Sequence, residues 1–204
     1  MKHEEQIKEL LIQNAIHLIA EGGFEKATVK ELTTCGGDLP GFKMNDVYIY
    51  RLFGSKEALY RATFVRLDSE LFYNVRRAYQ MVNEDENPEI TLKDRIVKFL
   101  EYLWDYILHD EERCRCYIRY YYSIYYNGPS AEAHKELYSG LLTEMAPSFK
   151  DDADVSEIIH SVFSSIFAFA NRVFNGNLAD TPENRPHVFN VLYSMMSSYF
   201  KDAQ

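Results

Sequence analysis

Apolar residues in the first eighty positions recur with a helical period, and glycines and capping residues divide them into separate segments. One apolar stripe comprises Ile7, Leu10, Leu11, Ala15, Leu18 and Ile19, and it predicts a first helix. The glycine pair at 22–23 predicts where that helix ends. Thr28 and Glu31 have the spacing of a capping box, so a second helix is expected to begin there. The glycines at 36–37 predict its end.

A third, short helix is predicted from Asn45, a favourable N-cap, to Phe53. Gly54 can adopt the left-handed conformation that closes it, and Ser55 can cap a long fourth helix. The apolar stripe of the long helix comprises Leu59, Tyr60, Phe64, Leu67, Leu71, Val75 and Ala78.

The third helix is too short to be stable alone, so it needs support from its neighbours. Val47, Tyr50 and Phe53 lie three residues apart and share one face. We expect this face to point inward, with Tyr48, Ile49 and Arg51 pointing elsewhere.

The remaining pattern is also helical. A polar connection at 83–88 is followed by predicted helices at about 90–108, from Ser130 to Met145, from Asp151 to Phe174 and at about 184–201. No strand-like alternation and no internal repeat interrupt them. The predicted fold class is all-α.

Two segments carry a family resemblance: residues 27–29 (ATV) and residues 49–59 (IYRLFGSKEAL). In this order, behind a matching first helix, they resemble the N-terminal helix-turn-helix signature of TetR-family transcriptional repressors. The resemblance implies a three-helix DNA-binding domain at residues 1–55. It also implies a helical effector-binding and dimerisation domain at residues 56–204, joined to the first by the long helix.

The resemblance makes the third helix the recognition helix, lying in the major groove of DNA. The side chains it implies at the DNA are those of Thr28, Lys43, Asn45, Tyr48, Tyr50 and Lys56. Ordinary capping or packing is the alternative role for each of them. The connection at 35–44 is about six residues longer than a usual helix-turn-helix turn, so it affects how the recognition helix is oriented.

Aromatic residues define a second candidate site. Six tyrosines lie between positions 117 and 126, and further rings precede them on the helix at 90–108. Such side chains suit a pocket for a flat or amphipathic small molecule, although they can equally fill a helical core. The candidate ligand-binding residues are Phe99, Tyr102, Trp104, Tyr117, Tyr121 and Tyr125.

The last two helices combine small and apolar residues that suit close helix packing. In the TetR family these helices form a four-helix dimer interface, and packing within the chain is the alternative. The candidate interface residues are Ser161, Ser165, Ala168, Val191, Met195 and Tyr199.

The chain is acidic, with a net charge of −9, which is unusual for a DNA-binding protein. Residues 1–80 carry 11 Lys or Arg and 11 Asp or Glu, whereas residues 81–204 carry 11 and 20. The acidity therefore belongs to the second part, which would repel DNA and leave the N-terminal part to approach phosphates.

Other classes of site find little support. Cys114 and Cys116 lie near His109, but no second cluster accompanies them, so neither a metal nor a cofactor is predicted. No nucleophile elbow or phosphate loop is present, and we expect no enzymatic activity. The absence of a signal-peptide pattern and of a long apolar run predicts a soluble, cytoplasmic protein that does not enter membranes.

The sequence thus predicts a homodimeric, ligand-responsive transcriptional regulator, most simply a repressor released from operator DNA by a small-molecule effector. One alternative is a TetR-like sensor or protein-binding module that has lost DNA recognition. Another is an all-α enzyme with an aromatic pocket, for which no residue set suggests a reaction.

Overall fold

The computed structural model describes residues 2–35, 44–84, 87 and 89–201, and the side chain of Lys2 is not among the described atoms. The described residues are mostly helical, which confirms the all-α class. The helices are α1 (Lys2–Gly22), α2 (Val29–Thr34), α3 (Val47–Phe53), α4 (Lys56–Asn83), α5 (Leu92–His109), α6 (Glu111–Tyr121), α7 (Gly128–Met145), a 3₁₀ turn (Ala146–Ser148), α8 (Val155–Phe174) and α9 (Arg185–Ser197).

Local capping chemistry sets three ends of the N-terminal helices as predicted, but the predicted N-cap at Asn45 is wrong, since the residue that precedes α3 is Asp46, which makes no side-chain cap hydrogen bond. The Thr28 hydroxyl accepts from the Glu31 amide at 3.2 Å and starts α2. Gly54 closes α3 with a φ of 86°, a conformation that favours glycine. The Ser55 hydroxyl then accepts from the Ala58 amide at 3.0 Å, which caps α4.

The predicted helix start at Ser130 is wrong. Helix α7 begins two residues earlier, at Gly128, and Ser130 lies inside its first turn. Its side chain is fully buried and shares a 2.9 Å hydrogen bond with the Tyr120 hydroxyl. Pro129 is compatible with this earlier start, because proline lacks only an N–H that the first turn of a helix leaves unpaired.

The chain divides into two compact units. The first contains residues 1–70 and 110–135, and the second contains residues 71–109 and 136–204. In the first unit, α1 packs against α2, α3 and α6; in the second, α5, α8 and α9 pack together. Helices α4 and α7 each contribute residues to both units. The division of function at residues 55 and 56 stays a prediction.

A polar anchor holds α5 to the start of α9 within the second unit. The indole of the buried Trp104 donates to Asp180 at 2.9 Å. Arg185 donates to both oxygens of the same carboxylate, at 2.8 and 2.7 Å, and to Asp105 at 2.7 Å. The hydrogen bonds from Arg185 and the indole hold the pKa of Asp180 below its ordinary value.

A short backbone bridge ties the end of the described chain to the segment between α7 and α8. Phe149 and Phe200 pair in antiparallel fashion. The Lys150 amide donates to the Tyr199 carbonyl at 2.8 Å, and the Lys201 amide donates to Ser148 at 3.1 Å. The two phenylalanine rings are buried, with their centroids 4.7 Å apart.

Candidate functional site

Helix α3 is held in place by one buried aliphatic side chain. Ile49 is 0% exposed, and α1 is among the helices that contact α3. The predicted inward face is wrong, since Val47 is 64% and Tyr50 54% exposed. Burying Ile49 removes only apolar surface from water, whereas burying Tyr50 would require a new partner for its hydroxyl. The outer face of α3 is therefore formed by Val47, Tyr50 and Arg51.

The predicted DNA-binding residues with small polar side chains occupy helix starts. Thr28 is exposed at the start of α2. Asn45 is exposed just before α3, where its side-chain oxygen accepts from the Val47 amide at 3.1 Å. Lys43, predicted to bind phosphate, lies outside the described residues.

The longer predicted side chains lie on α3 and at the start of α4. Tyr50 is exposed, and Tyr48 is half-buried with the Arg51 guanidinium 4.6 Å from its ring centroid. Lys56, the first residue of α4, is half-buried with its amine 5.6 Å from the ring centroid of Tyr60. Tyr48, Tyr50 and Asn45 are thus brought together on or beside one short helix.

The sequence reasoning left Arg51 out of the candidate set. This residue is exposed on α3, stacks on Tyr48 and pairs with Glu4 at 3.2 Å. An arginine on a recognition helix can contact either a guanine edge or a phosphate. The position of Arg51 within the predicted third helix was therefore enough to make it a candidate. The ion pair with Glu4 is half-exposed, and exposed pairs of this kind are weak enough for DNA to displace.

Three of the six predicted ligand-binding residues, Tyr117, Tyr121 and Tyr125, belong to an aromatic cluster in the first unit. Tyr117 stacks on Phe64 at 5.3 Å and on Tyr121 at 5.9 Å. Tyr125 packs against Phe24 with ring centroids 4.5 Å apart.

A buried carboxylate lies beside this cluster. Asp68 on α4 is 3% exposed and accepts from the Tyr117 hydroxyl at 3.1 Å. Both of its oxygens lie 3.0 Å from the same ring nitrogen of His134. These bonds join α4, α6 and α7 inside the first unit.

The other three predicted residues belong to the second unit and have different environments. Phe99 lines a cavity. The Tyr102 hydroxyl donates to Asn74 at 3.3 Å, and Trp104 is buried in the anchor with Asp180. The structure therefore does not bring the six residues into one place.

The cavity in the second unit has a volume of about 110 Å³ and is partly open to solvent. Fourteen of its nineteen lining residues are aliphatic, methionine or phenylalanine. Its lining consists of Val75, Tyr79, Val82, Asn83, Leu92, Arg95, Ile96, Phe99, Tyr138, Leu141, Leu142, Met145, Ser148, Phe149, Ile159, Val162, Phe163, Met196 and Phe200. Such a lining favours an apolar guest.

Five of the predicted interface residues lie on the outer sides of α8 and α9, and Tyr199 lies two residues after α9 ends. Ser161, Ala168, Val191 and Tyr199 are exposed, and Ser165 and Met195 are partly exposed. The residues that α8 and α9 bury within the chain are different ones, including Val162, Ile166, Val188 and Leu192.

The two buried thiols are not poised to act as nucleophiles or metal ligands. Burial raises the pKa of Cys114 to about 12 and that of Cys116 to about 12, so both stay protonated and unreactive in the folded protein. Within the part of the chain that the structure describes, no three His, Cys, Asp or Glu side chains are placed to hold a metal ion.

None of the described helices combines the length and apolar character that a membrane span requires.

The solved structures that resemble this fold include transcription regulators. A TetR-family transcription regulator from Marinobacter aquaeolei superposes with a TM-score of 0.74 at 15% identity, covering 96% of this chain and 98% of that one. The regulator FadR from Bacillus subtilis, solved in complex with stearoyl-CoA, has a TM-score of 0.63 at 19% identity, covering 92% and 98%. The fatty acid degradation regulator FadR from Bacillus halodurans has a TM-score of 0.60 at 17% identity, covering 90% and 96%.

No protein-family model and no curated protein sequence matches the chain. The structural similarity extends over nearly the whole chain. The chain has the TetR fold of these regulators.

Proposed function

We propose that the protein is a transcriptional regulator that binds operator DNA as a homodimer and releases it when a small molecule binds. One observation carries the proposal: α3 is fixed by the buried Ile49 while Tyr50 and Arg51 remain exposed on its outer side. Side chains on a supported helix of this kind can enter the major groove of DNA.

The proposed DNA contacts divide by chemistry. Tyr48 and Tyr50 donate their hydroxyls to phosphate oxygens, and Lys56 and Lys43 provide charge. Thr28 adds a hydroxyl at the start of α2. Asn45 and Arg51 offer the amide and guanidinium groups that can form paired hydrogen bonds with base edges.

Dimerisation follows from the geometry of duplex DNA. Two recognition helices read successive major grooves only when they lie about 34–36 Å apart, which a two-fold dimer provides. The exposed faces of α8 and α9, with Ala168 and Val191, and the exposed Tyr199 just after α9 offer the surface for it. An Ala168→Arg variant should be monomeric by analytical ultracentrifugation, whereas the equally exposed Glu136→Arg should not.

Ligand control is supported by the cavity and by the similar fold of a FadR regulator solved with stearoyl-CoA. A ligand that prefers one arrangement of the protein lowers its affinity for DNA if DNA prefers another, and the effect is reciprocal. Helix α4 is a suitable carrier, since it runs without a break from the residue after Ser55 to Val82 and Asn83 at the cavity.

Fluorescence polarisation on DNA from the promoter region beside its own gene, together with a random-site selection, tests DNA binding. Tyr48→Ala and Lys56→Ala should weaken binding while the protein stays folded. In the Lys56 variant the slope of log affinity against log salt should fall by about one. Tyr122→Ala and Lys135→Ala are matched controls, because both residues are exposed and lie outside α3 and the start of α4. Absence of salt-sensitive, sequence-selective binding would refute the proposal.

A second candidate is a sensor of the same fold that does not bind DNA. It is favoured by the net charge of −9 and by the pairing of Arg51 with Glu4. The two candidates differ in a simple measurement: the sensor would bind a small molecule and show no affinity for any DNA at low salt.

A further inference from the structure

Helix α3 carries one cation, and a carboxylate of α1 already holds it. Arg51 is the one charged residue of α3, whose other six residues are aliphatic or aromatic. The Nη2 atom of Arg51 lies 3.2 Å from Oε1 of Glu4, which belongs to the first turn of α1. DNA phosphates are bound mainly through cationic side chains. Glu4 therefore occupies the charge that α3 would offer to DNA.

Packing within the first unit holds both partners of this ion pair in position. Ile7 lies three residues after Glu4 and is fully buried, so Glu4 stands at the edge of the face that α1 packs inward. Helix α3, which α1 contacts, is anchored by the buried Ile49. The Tyr48 ring lies 4.6 Å from the guanidinium carbon of Arg51 and supports that side chain from its own helix.

The neighbouring carboxylates of α1 have other partners. Glu5 lies 3.6 Å from the amine of Lys8 on the same helix. Glu9 lies 3.9 Å from the guanidinium of Arg66 on α4. Because Arg51 is the one charged residue of α3, Glu4 is distinguished from both by its partner, and Glu5 provides a nearby comparison with the same charge.

We infer that Glu4 is a built-in competitor of DNA: its carboxylate holds Arg51 in the free protein, and a phosphate or a guanine edge must displace it. The inference rests on the proposed DNA-binding function and names a residue that limits its affinity. Both side chains are about half-exposed, so DNA can reach the pair. After displacement, the carboxylate stays near the bound polyanion and repels it.

Fluorescence polarisation of the full chain with duplex DNA tests the inference. Glu4→Gln keeps the shape of the side chain and removes its charge. It should bind DNA about three- to tenfold more tightly than wild type, because no ion pair has to be broken and a repulsive charge is gone. The gain should shrink as the salt concentration rises, since salt screens both contributions.

Glu5→Gln is the matched control, because Glu5 is the next residue of α1, is exposed and pairs with Lys8. It removes the same charge from the same turn and should change the affinity for DNA by less than about twofold.

A double-mutant cycle isolates the pair of Glu4 with Arg51. In an Arg51→Gln protein, adding Glu4→Gln should change the affinity by less than about twofold, because the competitor then has no cation to hold. This arm is measured at low salt, where the sequence-independent binding through the remaining cations is strongest.

Unchanged or weaker binding by Glu4→Gln would overturn the inference, as would an equal gain in Glu5→Gln or a gain that survives Arg51→Gln. If wild type binds DNA and Glu4→Gln gains nothing, the competitor fails and the proposed DNA recognition stands. If Glu4→Gln binds DNA and wild type does not, the competitor is supported and the proposed function of the wild-type chain fails. If neither binds any DNA at low salt, both fail.

Discussion

The anchor around Trp104 allows a direct test of the packing in the second unit. Asp180→Ala removes the acceptor of the buried indole N–H and the carboxylate that Arg185 holds by two bonds. A buried donor without a partner costs about 1–3 kcal/mol. The lost ion pair adds about 1 kcal/mol or less, because both partners are partly exposed and screened by solvent.

The expected total is therefore about 1–4 kcal/mol, which lowers the urea midpoint by roughly 0.5–2 M at a slope of about 2 kcal/mol/M. Trp104 is the single tryptophan of the chain, so its fluorescence reports the unfolding of this region directly. Asp180→Asn keeps one oxygen for the indole but removes the charge and one of the two oxygens that accept from Arg185. It should cost less than the alanine variant.

The pH dependence of the free energy of unfolding independently checks the role of Asp180. The native pKa of Asp180 is lowered, mainly by the hydrogen bond from Arg185. A carboxylate with a lowered native pKa stabilises the fold above its unfolded pKa of about 4, and this contribution is lost as pH falls through the native value. The gap in stability between wild type and Asp180→Asn should therefore narrow below about pH 4. A constant gap, or an alanine variant as stable as wild type, would refute the reasoning.

Three further predictions concern the first unit and the thiols. Ile49→Ala should lower Tm by roughly 4–20 °C, from a cost of about 2–5 kcal/mol, and Tyr50→Ala should leave it nearly unchanged in calorimetry. Gly54→Ala should lower the free energy of unfolding by about 1–2 kcal/mol. The cost comes only from placing a side chain at a φ of 86°, since no atom lies within 4 Å of the new Cβ. With a thiol reagent at pH 8, Cys35 should react in the native state and the two buried cysteines only after unfolding; three reactive native thiols would contradict this.

The sequence predicted helix ends well where they depend only on neighbouring residues. Thr28, Gly54 and Ser55 set helix ends through one hydrogen bond or one backbone angle, and the structure shows each as predicted. The helix start predicted at Ser130 is two residues late, because Gly128 and Pro129 are typical of a helix end, although glycine and proline are both tolerated in a first turn.

Features decided by distant packing were harder to predict. A helix of seven residues can turn either of two faces inward, one with Val47 and Tyr50 or one with Ile49. Contact with α1 decides between them. The rings of Tyr117 and Tyr121 stack because four residues separate them on one helix. The sequence could not predict that Phe99 would lie in the other unit, because that depends on how α5 packs with α8 and α9.

The bridge between Phe149 and Phe200 has a practical consequence for handling the protein. Residues 198–201 resemble a tail, yet Lys150 holds the Ser198 carbonyl at 2.7 Å, and Phe200 forms part of the cavity wall. Proteolytic trimming ahead of Phe200 would remove one wall of this cavity and change which molecules it admits. An affinity tag is therefore better fused to the amino end when ligands are to be screened.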